Sequence, residues 1–231
     1  MKTPLPSWLD FFAIPVSWMY TKIIRIRNRY YDKGNNVHKV PLPVIAVGNL
    51  TVGGTGKTPL VTWIVRRLRE HGHNPAVVMR GYASVNPENA DEAVEYRERL
   101  DDIDVIVGAD RVAKITAYIE GGGSADCVVM DDGFQHRRIE RDLDIVVMDY
   151  LRDPFEQRVL PAGWLREPID GLKRCDAVVV SHAQRVNPDF STKIEKVTGN
   201  APLAWTSHHW SGIEMYDEHG ESGETLESFT G

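Results

Sequence analysis

Short apolar runs alternate with helical periodicity along most of the chain. Six runs rich in Val and Ile are typical of buried strands, and they lie at residues 43–47, 76–79, 104–107, 127–130, 143–148 and 177–180. Apolar residues recur with the spacing of one helix face at 60–68, 92–100 and 112–119. Because strands that alternate with helices form parallel sheets, the pattern predicts an α/β fold with a mostly parallel sheet and helices on both of its faces.

The first 34 residues have a different pattern, in which bulky apolar side chains are interleaved with Lys22, Arg25, Arg27 and Arg29. The apolar stretch is interrupted and too short to span a bilayer, and it lacks the basic start and cleavage site of a signal peptide. An apolar, aromatic face with a basic flank predicts an amphipathic helix at the surface of an anionic membrane, over residues 1–34. A helix packed on its own domain is the alternative.

Composition and charge narrow the choice of partners. The 231 residues carry a formal net charge of −6, which argues against nucleic acid as a partner, because binding to a phosphate backbone needs a concentrated basic face. Cys127 and Cys175 are too few for a disulfide framework and have no metal-ligand spacing. We expect both to be reduced core residues.

A glycine-rich segment at residues 48–59 connects the first predicted strand to the helical pattern that follows. Glycines between a strand and a helix let backbone N–H groups surround phosphate oxygens, and Lys57 and Thr58 are placed for the β- and γ-phosphates and for Mg²⁺. The usual first glycine of this loop would fall at Thr51, so Gly53 and Gly54 are expected to form the tight turn instead. The expected nucleotide-binding residues are Thr51, Val52, Gly53, Gly54, Thr55, Gly56, Lys57 and Thr58.

Two adjacent carboxylates, Asp131 and Asp132, follow the strand at 127–130. Ligands of open α/β sheets gather at the carboxyl ends of the strands, so these side chains are expected near the nucleotide. Mg²⁺ favours a few carboxylates together with phosphate oxygens, which makes both residues candidate metal ligands with Thr58. A simple Asp-Asp-Gly turn is the alternative.

Four segments in this order resemble the tetraacyldisaccharide 4′-kinase family, the lipid A 4′-kinases. They are residues 48–59, Arg80-Gly81-Tyr82, Asp131-Asp132-Gly133-Phe134-Gln135-His136, and residues 160–168 with Leu-Pro-Ala-Gly and Leu-Arg-Glu-Pro. The resemblance implies a P-loop NTPase-like fold and transfer of the γ-phosphate of ATP to the 4′-hydroxyl of tetraacyldisaccharide 1-phosphate, with Mg²⁺. It further implies a peripheral protein at the cytoplasmic face of the inner membrane of a Gram-negative-type cell, and we expect a monomer.

The resemblance also suggests roles for single residues. The family's base is an aspartate in a Gly-Asp-Glu-Pro motif, and Asp91 occupies the corresponding position here without the flanking Gly and Pro. Acids that merely open the following helix are the alternative. The resemblance places Gln135 and His136 at the active site, although a surface histidine remains possible. Arg80 and Arg166 are candidates for binding anionic oxygens of nucleotide or lipid, or are ordinary ion-pair partners.

Members of the family usually continue beyond the point at which this sequence ends, with a further glycine-rich motif and an Asp-His pair. We therefore expect a kinase domain over 35–220 and the start of a linker to a C-terminal domain over 221–231. Two rival functions are a P-loop GTPase of the metallochaperone type and a non-catalytic nucleotide-binding remnant. Ser181-His182-Ala183-Gln184 supplies neither the lysine nor the aspartate of a guanine-binding motif.

Overall fold

A seven-stranded parallel sheet forms the centre of the computed structural model, which describes residues 10–81, 91–207, 213–216 and 222–226. Its strands are β1 (Val44–Asn49), β2 (Pro75–Met79), β3 (Val105–Val107), β4 (Cys127–Asp131), β5 (Leu143–Asp149), β6 (Ala177–Ser181) and β7 (Ala204–Trp205). The strand order is β3-β2-β4-β1-β5-β6-β7, and every neighbouring pair is parallel. The predicted parallel sheet is confirmed, and its two central strands, β1 and β4, end side by side.

Helices cover both faces of the sheet, as the sequence predicts. The helices are α1 (Asp10–Asp32), α2 (Lys57–Glu70), α3 (Asp91–Arg99), α4 (Arg111–Glu120) and α5 (Pro188–Thr198), with 3₁₀-helices at Tyr150–Arg152, Pro154–Glu156 and Ile169–Arg174. The buried faces of α2 and α3 share one apolar cluster with Val47 of β1, whereas α4 packs with Ala46 of the same strand. Because successive strand residues point to opposite faces, α4 lies across the sheet from α2 and α3.

Helix α5 is the one long element of the described chain that the apolar periodicity did not predict. Its boundaries nevertheless have sequence signals. The side chain of Asn187 accepts a hydrogen bond from the backbone N–H of Phe190 at 2.9 Å, and Pro188 occupies the first turn. Gly199 ends the helix in the left-handed conformation with φ 83°. The helix was therefore readable from its caps rather than from its periodicity.

Helix α1 packs on the domain through small and polar residues and exposes its large apolar ones. Ala13 and Ser17 are buried, and the Ser17 hydroxyl donates to the carbonyl of Val159 at 2.8 Å. The exposed apolar side chains are Phe11, Phe12, Val16, Trp18, Met19, Ile23, Ile26 and Tyr30. Packing on the domain is therefore real, and an apolar face remains on the outside; its contact with a membrane stays a prediction. No helix in the described ranges has both the length and the apolar character that crossing a membrane requires.

The two cysteines are free thiols, with Cys127 buried and Cys175 half-buried. Burial raises the pKa of each to about 12, and a neighbouring aspartate adds to the shift. Both are therefore protonated core residues at neutral pH, as the sequence predicts.

A hairpin follows the sheet. Strands β8 (Ile213–Tyr216) and β9 (Ser222–Leu226) pair in an antiparallel manner. The predicted boundary between residues 220 and 221 falls between these two paired strands. That boundary and the one after residue 34 stay predictions.

Candidate active site

The phosphate loop connects β1 to α2 and contains two glycines with positive φ. Gly53 has φ 112° and Gly56 has φ 80°, a region that residues with a Cβ rarely adopt. Gly56 immediately precedes Lys57, the first residue of α2, so the free backbone N–H groups at the helix start face the loop. The sharp turns are therefore made by these glycines and need none at position 51.

Thr51 is tolerated at the usual glycine position because the chain there pairs with another segment. Thr51 forms an antiparallel bridge with Leu165, and the N–H of Val52 donates to the carbonyl of Trp164 at 2.8 Å. The N–H of Arg166 donates to the carbonyl of Leu50 at 2.7 Å. The start of the loop is thus fixed to residues 164–166, and nucleotide contacts by Thr51 and Val52 stay predictions.

Two polar residues that sequence reasoning missed hold the middle of the loop. The Asn49 side chain donates to the Thr55 hydroxyl at 3.0 Å, and the Ser181 hydroxyl at the end of β6 donates to the Thr55 carbonyl at 2.8 Å. All three side chains are buried. Asn49 and Ser181 are each a polar residue at the carboxyl end of an apolar strand, and this position is their signal in the sequence. Ligand-binding loops of parallel sheets lie at these strand ends.

Asp132 lies between two cations at the mouth of the loop. The Lys57 ammonium is 3.6 Å from Oδ1 of Asp132, and Nη1 of Arg166 is 2.8 Å from each carboxylate oxygen. Burial by itself would raise the pKa of Asp132, but Lys57 and Arg166 hold the pKa of this carboxyl below its usual value. Asp132 also has φ 48°, and its carbonyl accepts a hydrogen bond from Arg111 at 3.2 Å.

Asp131 is buried beneath the loop, and both of its oxygens accept hydrogen bonds. The Tyr96 hydroxyl donates to Oδ2 at 2.9 Å, and the N–H of Asp132 donates to Oδ1 at 2.7 Å. Burial raises the pKa of Asp131. Glu92 lies near both aspartates. Partial burial raises the pKa of Glu92, and the charges of Asp131 and Asp132 raise it further. Three carboxylates thus repel one another at the floor of the site.

The turn after Asp132 carries Gln135 and His136. The Gln135 amide donates to the carbonyl of Asn49 at 2.8 Å and to Oε1 of Glu167 at 3.0 Å. Burial and then the charge of Arg111 lower the pKa of His136 to about 4, so its imidazole is neutral at pH 7. The Nε2 atom of His136 is buried and has no hydrogen-bond partner among the described residues.

Glu167 connects this turn to helix α1. Its side chain is 2% exposed. Beyond the bond from Gln135, its Oε2 accepts hydrogen bonds from Asn28 at 3.1 Å and from Arg174 at 2.9 Å. Arg27 donates to the carbonyl of Gln135 at 2.7 Å. The N-terminal helix is therefore bonded directly to the residues of the site.

Two cavities open at this end of the sheet and share Arg80, Asp132 and Arg166. We call the first, of about 440 Å³, the phosphate cavity; its other lining residues are Gly53–Pro59, Met79, Glu92, Glu95 and Asp131. We call the second, of about 490 Å³, the α1 cavity; its other lining residues are Tyr20, Ile24, Arg27, Val52, Arg111, Gln135, His136, Leu160 and Glu167.

The structure brings most of the predicted site residues together around these two cavities. Asp91 is exposed at the first position of α3 and lines neither cavity within the described chain, so its role stays a prediction. Arg80 immediately precedes Gly81, after which residues 82–90, including Tyr82 and Asn89, lie outside the described ranges. Sequence reasoning missed Glu92, Tyr96 and Glu167 as parts of the site, because their positions depend on packing between elements far apart in the chain.

The site offers carboxylate ligands to a metal ion but not a complete set of protein ligands. No group of three or more His, Cys, Asp and Glu side chains in the described ranges has an arrangement that could hold a metal ion. The donor set nevertheless suits Mg²⁺, which takes few carboxylates and completes its coordination with phosphate oxygens and water.

Comparison with known proteins gives a consistent result. The family model for tetraacyldisaccharide-1-P 4′-kinase matches residues 9–226. The tetraacyldisaccharide 4′-kinases of Halorhodospira halophila and Nitrosococcus oceani are 42% and 40% identical to the chain; each match covers 72% of it, and 54% and 53% of the relative. The chain thus spans about half the length of the curated relatives it matches.

A solved structure matches the fold over most of its length. The crystal structure of the "apo" form of LpxK from Aquifex aeolicus in complex with ATP superimposes with a TM-score of 0.70 and 27% identity, covering 92% of this chain and 86% of that one. The matching family is one of kinases and not of metallochaperone GTPases. Over residues 9–226, the chain belongs to the tetraacyldisaccharide-1-P 4′-kinase family.

Proposed function

We propose that this chain transfers the γ-phosphate of ATP to the 4′-hydroxyl of tetraacyldisaccharide 1-phosphate, a step of lipid A biosynthesis. The observation that carries the proposal is the meeting of the phosphate cavity and the α1 cavity at Asp132 and Arg166. Phosphoryl transfer needs donor and acceptor sites that open onto one another, and catalysis then rests on positioning and charge neutralisation. The residues that line each cavity indicate which of the two substrates it binds.

The phosphate cavity suits the triphosphate of ATP. Its lining includes the glycine-rich loop and the start of α2. The Lys57 ammonium, 3.6 Å from Oδ1 of Asp132, is proposed to bind the β- and γ-phosphates. Thr58, Asp131 and Asp132 are the residues we propose for Mg²⁺, with Glu92 as a further carboxylate on the same cavity. When bound, Mg²⁺ supplies neutralisation of charge on the β- and γ-phosphates.

The α1 cavity suits a phosphorylated sugar with lipid chains. Four arginines line it, Arg27, Arg80, Arg111 and Arg166, and Tyr20 and Ile24 of α1 add apolar surface. Arg80 and Arg166 are proposed to bind anionic oxygens, since guanidinium groups recognise phosphates by paired hydrogen bonds. His136 is proposed to hydrogen-bond the acceptor through its unpartnered Nε2, which as a neutral imidazole nitrogen either donates or accepts.

A base must take the proton of the attacking hydroxyl, and we propose Asp91 for this role. Glu92 is the second candidate, because it lines the phosphate cavity, and partial burial with the charges of Asp131 and Asp132 raises its pKa. Both residues lie in the first turn of α3. Mutation distinguishes the two candidates. Removing the carboxylate of the true base abolishes proton transfer, whereas removing the carboxylate of the other residue does not.

The proposed activity is tested by transfer of labelled γ-phosphate from ATP to tetraacyldisaccharide 1-phosphate in detergent micelles. We expect the parent chain to transfer phosphate, and Asp91→Asn to lower kcat by about a hundredfold or more, the usual contribution of a general base. Glu98→Gln, on the exposed face of the same helix, is the matched control. If Glu92→Gln abolishes transfer and Asp91→Asn does not, Glu92 is the base. A parent chain that binds ATP without transferring phosphate would instead be a nucleotide-binding remnant.

We further propose that the protein is a peripheral monomer at the cytoplasmic face of the inner membrane, held by the exposed face of α1. Phe12, Met19 and Ile23 are 66%, 58% and 54% exposed on one side of the helix. Lys22 and Arg29 are also exposed on α1 and are available to anionic lipid headgroups. An apolar face with cations at its border is the arrangement that binds at a headgroup boundary.

Replacing Phe12, Met19 and Ile23 together with serine is expected to weaken binding to phosphatidylglycerol vesicles by at least about tenfold, because each buried apolar side chain contributes on the order of 1.5 kcal/mol or more. Cosedimentation with vesicles measures this, and binding by the parent should fall with added salt. Serine at Trp63, Val186 and Leu203, which are similarly exposed away from α1, is the control. Equal loss in both triple variants would contradict the proposed membrane face.

A further inference from the structure

Tyr96 is a fully buried residue of α3 whose hydroxyl reaches the floor of the phosphate cavity. Its exposed fraction is 0%, and its ring belongs to the apolar cluster beneath α2 and α3. The ring alone would be satisfied by that packing. The hydroxyl has a different requirement, because a buried O–H needs a hydrogen-bond partner, and the carboxylate that accepts from it belongs to the site.

Two residues of the site lie at this hydroxyl, Asp131 and Thr58. The Tyr96 hydroxyl donates to Oδ2 of Asp131 at 2.9 Å. Burial and the charge of Asp131 raise the pKa of Tyr96, and the Thr58 side chain beside the hydroxyl opposes this shift. Tyr96 is therefore adjacent to the second residue of α2 and to the last residue of β4, both of them proposed Mg²⁺ ligands.

The number of protons decides which group can donate. An ionised carboxylate only accepts, so the single proton of the Tyr96 hydroxyl goes to Asp131. The Tyr96 oxygen then has only lone pairs to offer the Thr58 hydroxyl beside it, so Thr58 can interact with it only as a donor. A Thr58 hydroxyl that points its proton at Tyr96 keeps its own lone pairs for the phosphate cavity, which Thr58 lines.

We infer that Tyr96 is a positioning residue that orients the Thr58 hydroxyl and the Asp131 carboxylate as a pair of oxygen donors for the Mg²⁺ that accompanies ATP. This role rests on the proposed binding of Mg-ATP and is independent of the lipid acceptor. Residues that orient metal ligands through hydrogen bonds typically change metal affinity tenfold or more when removed. Tyr96 does so without touching the cation or the nucleotide.

Tyr96→Phe removes the hydroxyl and keeps the buried ring. Equilibrium dialysis with labelled ATP, once in EDTA and once in Mg²⁺, measures how much the cation increases ATP affinity. For the parent we expect Mg²⁺ to tighten binding. For Tyr96→Phe we expect the same dissociation constant in EDTA within about twofold, and a Mg²⁺-induced increase that is smaller by about tenfold.

Tyr118→Phe is the matched control, because the Tyr118 hydroxyl also bonds a carboxylate, that of Asp104, away from both cavities. It should leave the Mg²⁺ effect unchanged. A Tyr96→Phe protein with the parental Mg²⁺ effect but a lower melting temperature would show a purely structural residue and overturn the inference. Equal weakening of ATP binding with and without Mg²⁺ would also overturn it. If Mg²⁺ does not change the ATP affinity of the parent chain, the proposed Mg²⁺ binding is wrong, and this outcome is distinct from a failure of the Tyr96 role alone.

Discussion

Lys57→Ala is expected to lower phosphate transfer by at least about a hundredfold, the usual loss when one charged or hydrogen-bonding group that stabilises a transition state is removed. The Lys57 side chain is 14% exposed and points into the phosphate cavity, where its nearest anion is Oδ1 of Asp132 at 3.6 Å. Alanine would remove the cation that we propose neutralises the transferred phosphate. It would also leave Asp132 with one cation fewer, so that anionic phosphate meets an uncompensated carboxylate.

Two measurements separate this effect from a loss of folding. Transfer of labelled γ-phosphate gives the catalytic loss, and equilibrium dialysis gives the affinity for ATP. Lys39→Ala is the control, because Lys39 forms only an exposed ion pair with Glu140 at 3.9 Å and should change neither quantity. Lys57→Arg should not restore activity, since a planar guanidinium does not replace a compact ammonium in a narrow loop. Transfer by Lys57→Ala within threefold of the parent would contradict the assignment.

Local signals were sufficient to predict six of the seven strands and the glycine-rich loop. Strands in a sheet covered on both faces read as short apolar runs, and the bounds of each predicted run agree within two residues with those of an observed strand. The edge strand β7 has only two residues, too few to form such a run. The loop could be predicted because strand, loop and helix are contiguous in the chain, and Thr51 fits within it because its bridge to Leu165 needs no glycine.

The residues that the sequence did not reveal are those whose function depends on contacts between distant segments. Tyr96 looks like an ordinary core residue of an amphipathic helix, and only the fold brings its hydroxyl to Asp131, 35 positions away. The same holds for α1, in which spacing predicted an apolar face but not that small residues would pack inward. Periodicity identifies a face of a helix, whereas the surface that covers it is decided by tertiary packing.

Glu167→Ala is expected to lower the free energy of unfolding by about 3 kcal/mol, the lower end for breaking a buried ion pair by removing one partner. Glu167 is 2% exposed, and its carboxylate accepts hydrogen bonds from Asn28, Gln135 and Arg174. Alanine would leave the largely buried Arg174 guanidinium without its anion, and would remove one acceptor from each of the Asn28 and Gln135 amides. Urea unfolding measures the change, and the slope with denaturant should stay constant.

Two further variants make the result specific to the buried carboxylate. Glu167→Gln keeps the side-chain volume and one carbonyl acceptor, so it should cost less than alanine, on the order of 1–2 kcal/mol. Glu70→Ala breaks an exposed ion pair with Arg67 at 2.7 Å and should cost no more than about 0.5 kcal/mol. Because Glu167 bonds both α1 and Gln135, its alanine variant should also lose phosphate transfer under conditions in which it is still folded. Equal stability of Glu167→Ala and Glu70→Ala would mean that α1 is held by other contacts, and that Glu167 is not what connects it to the site.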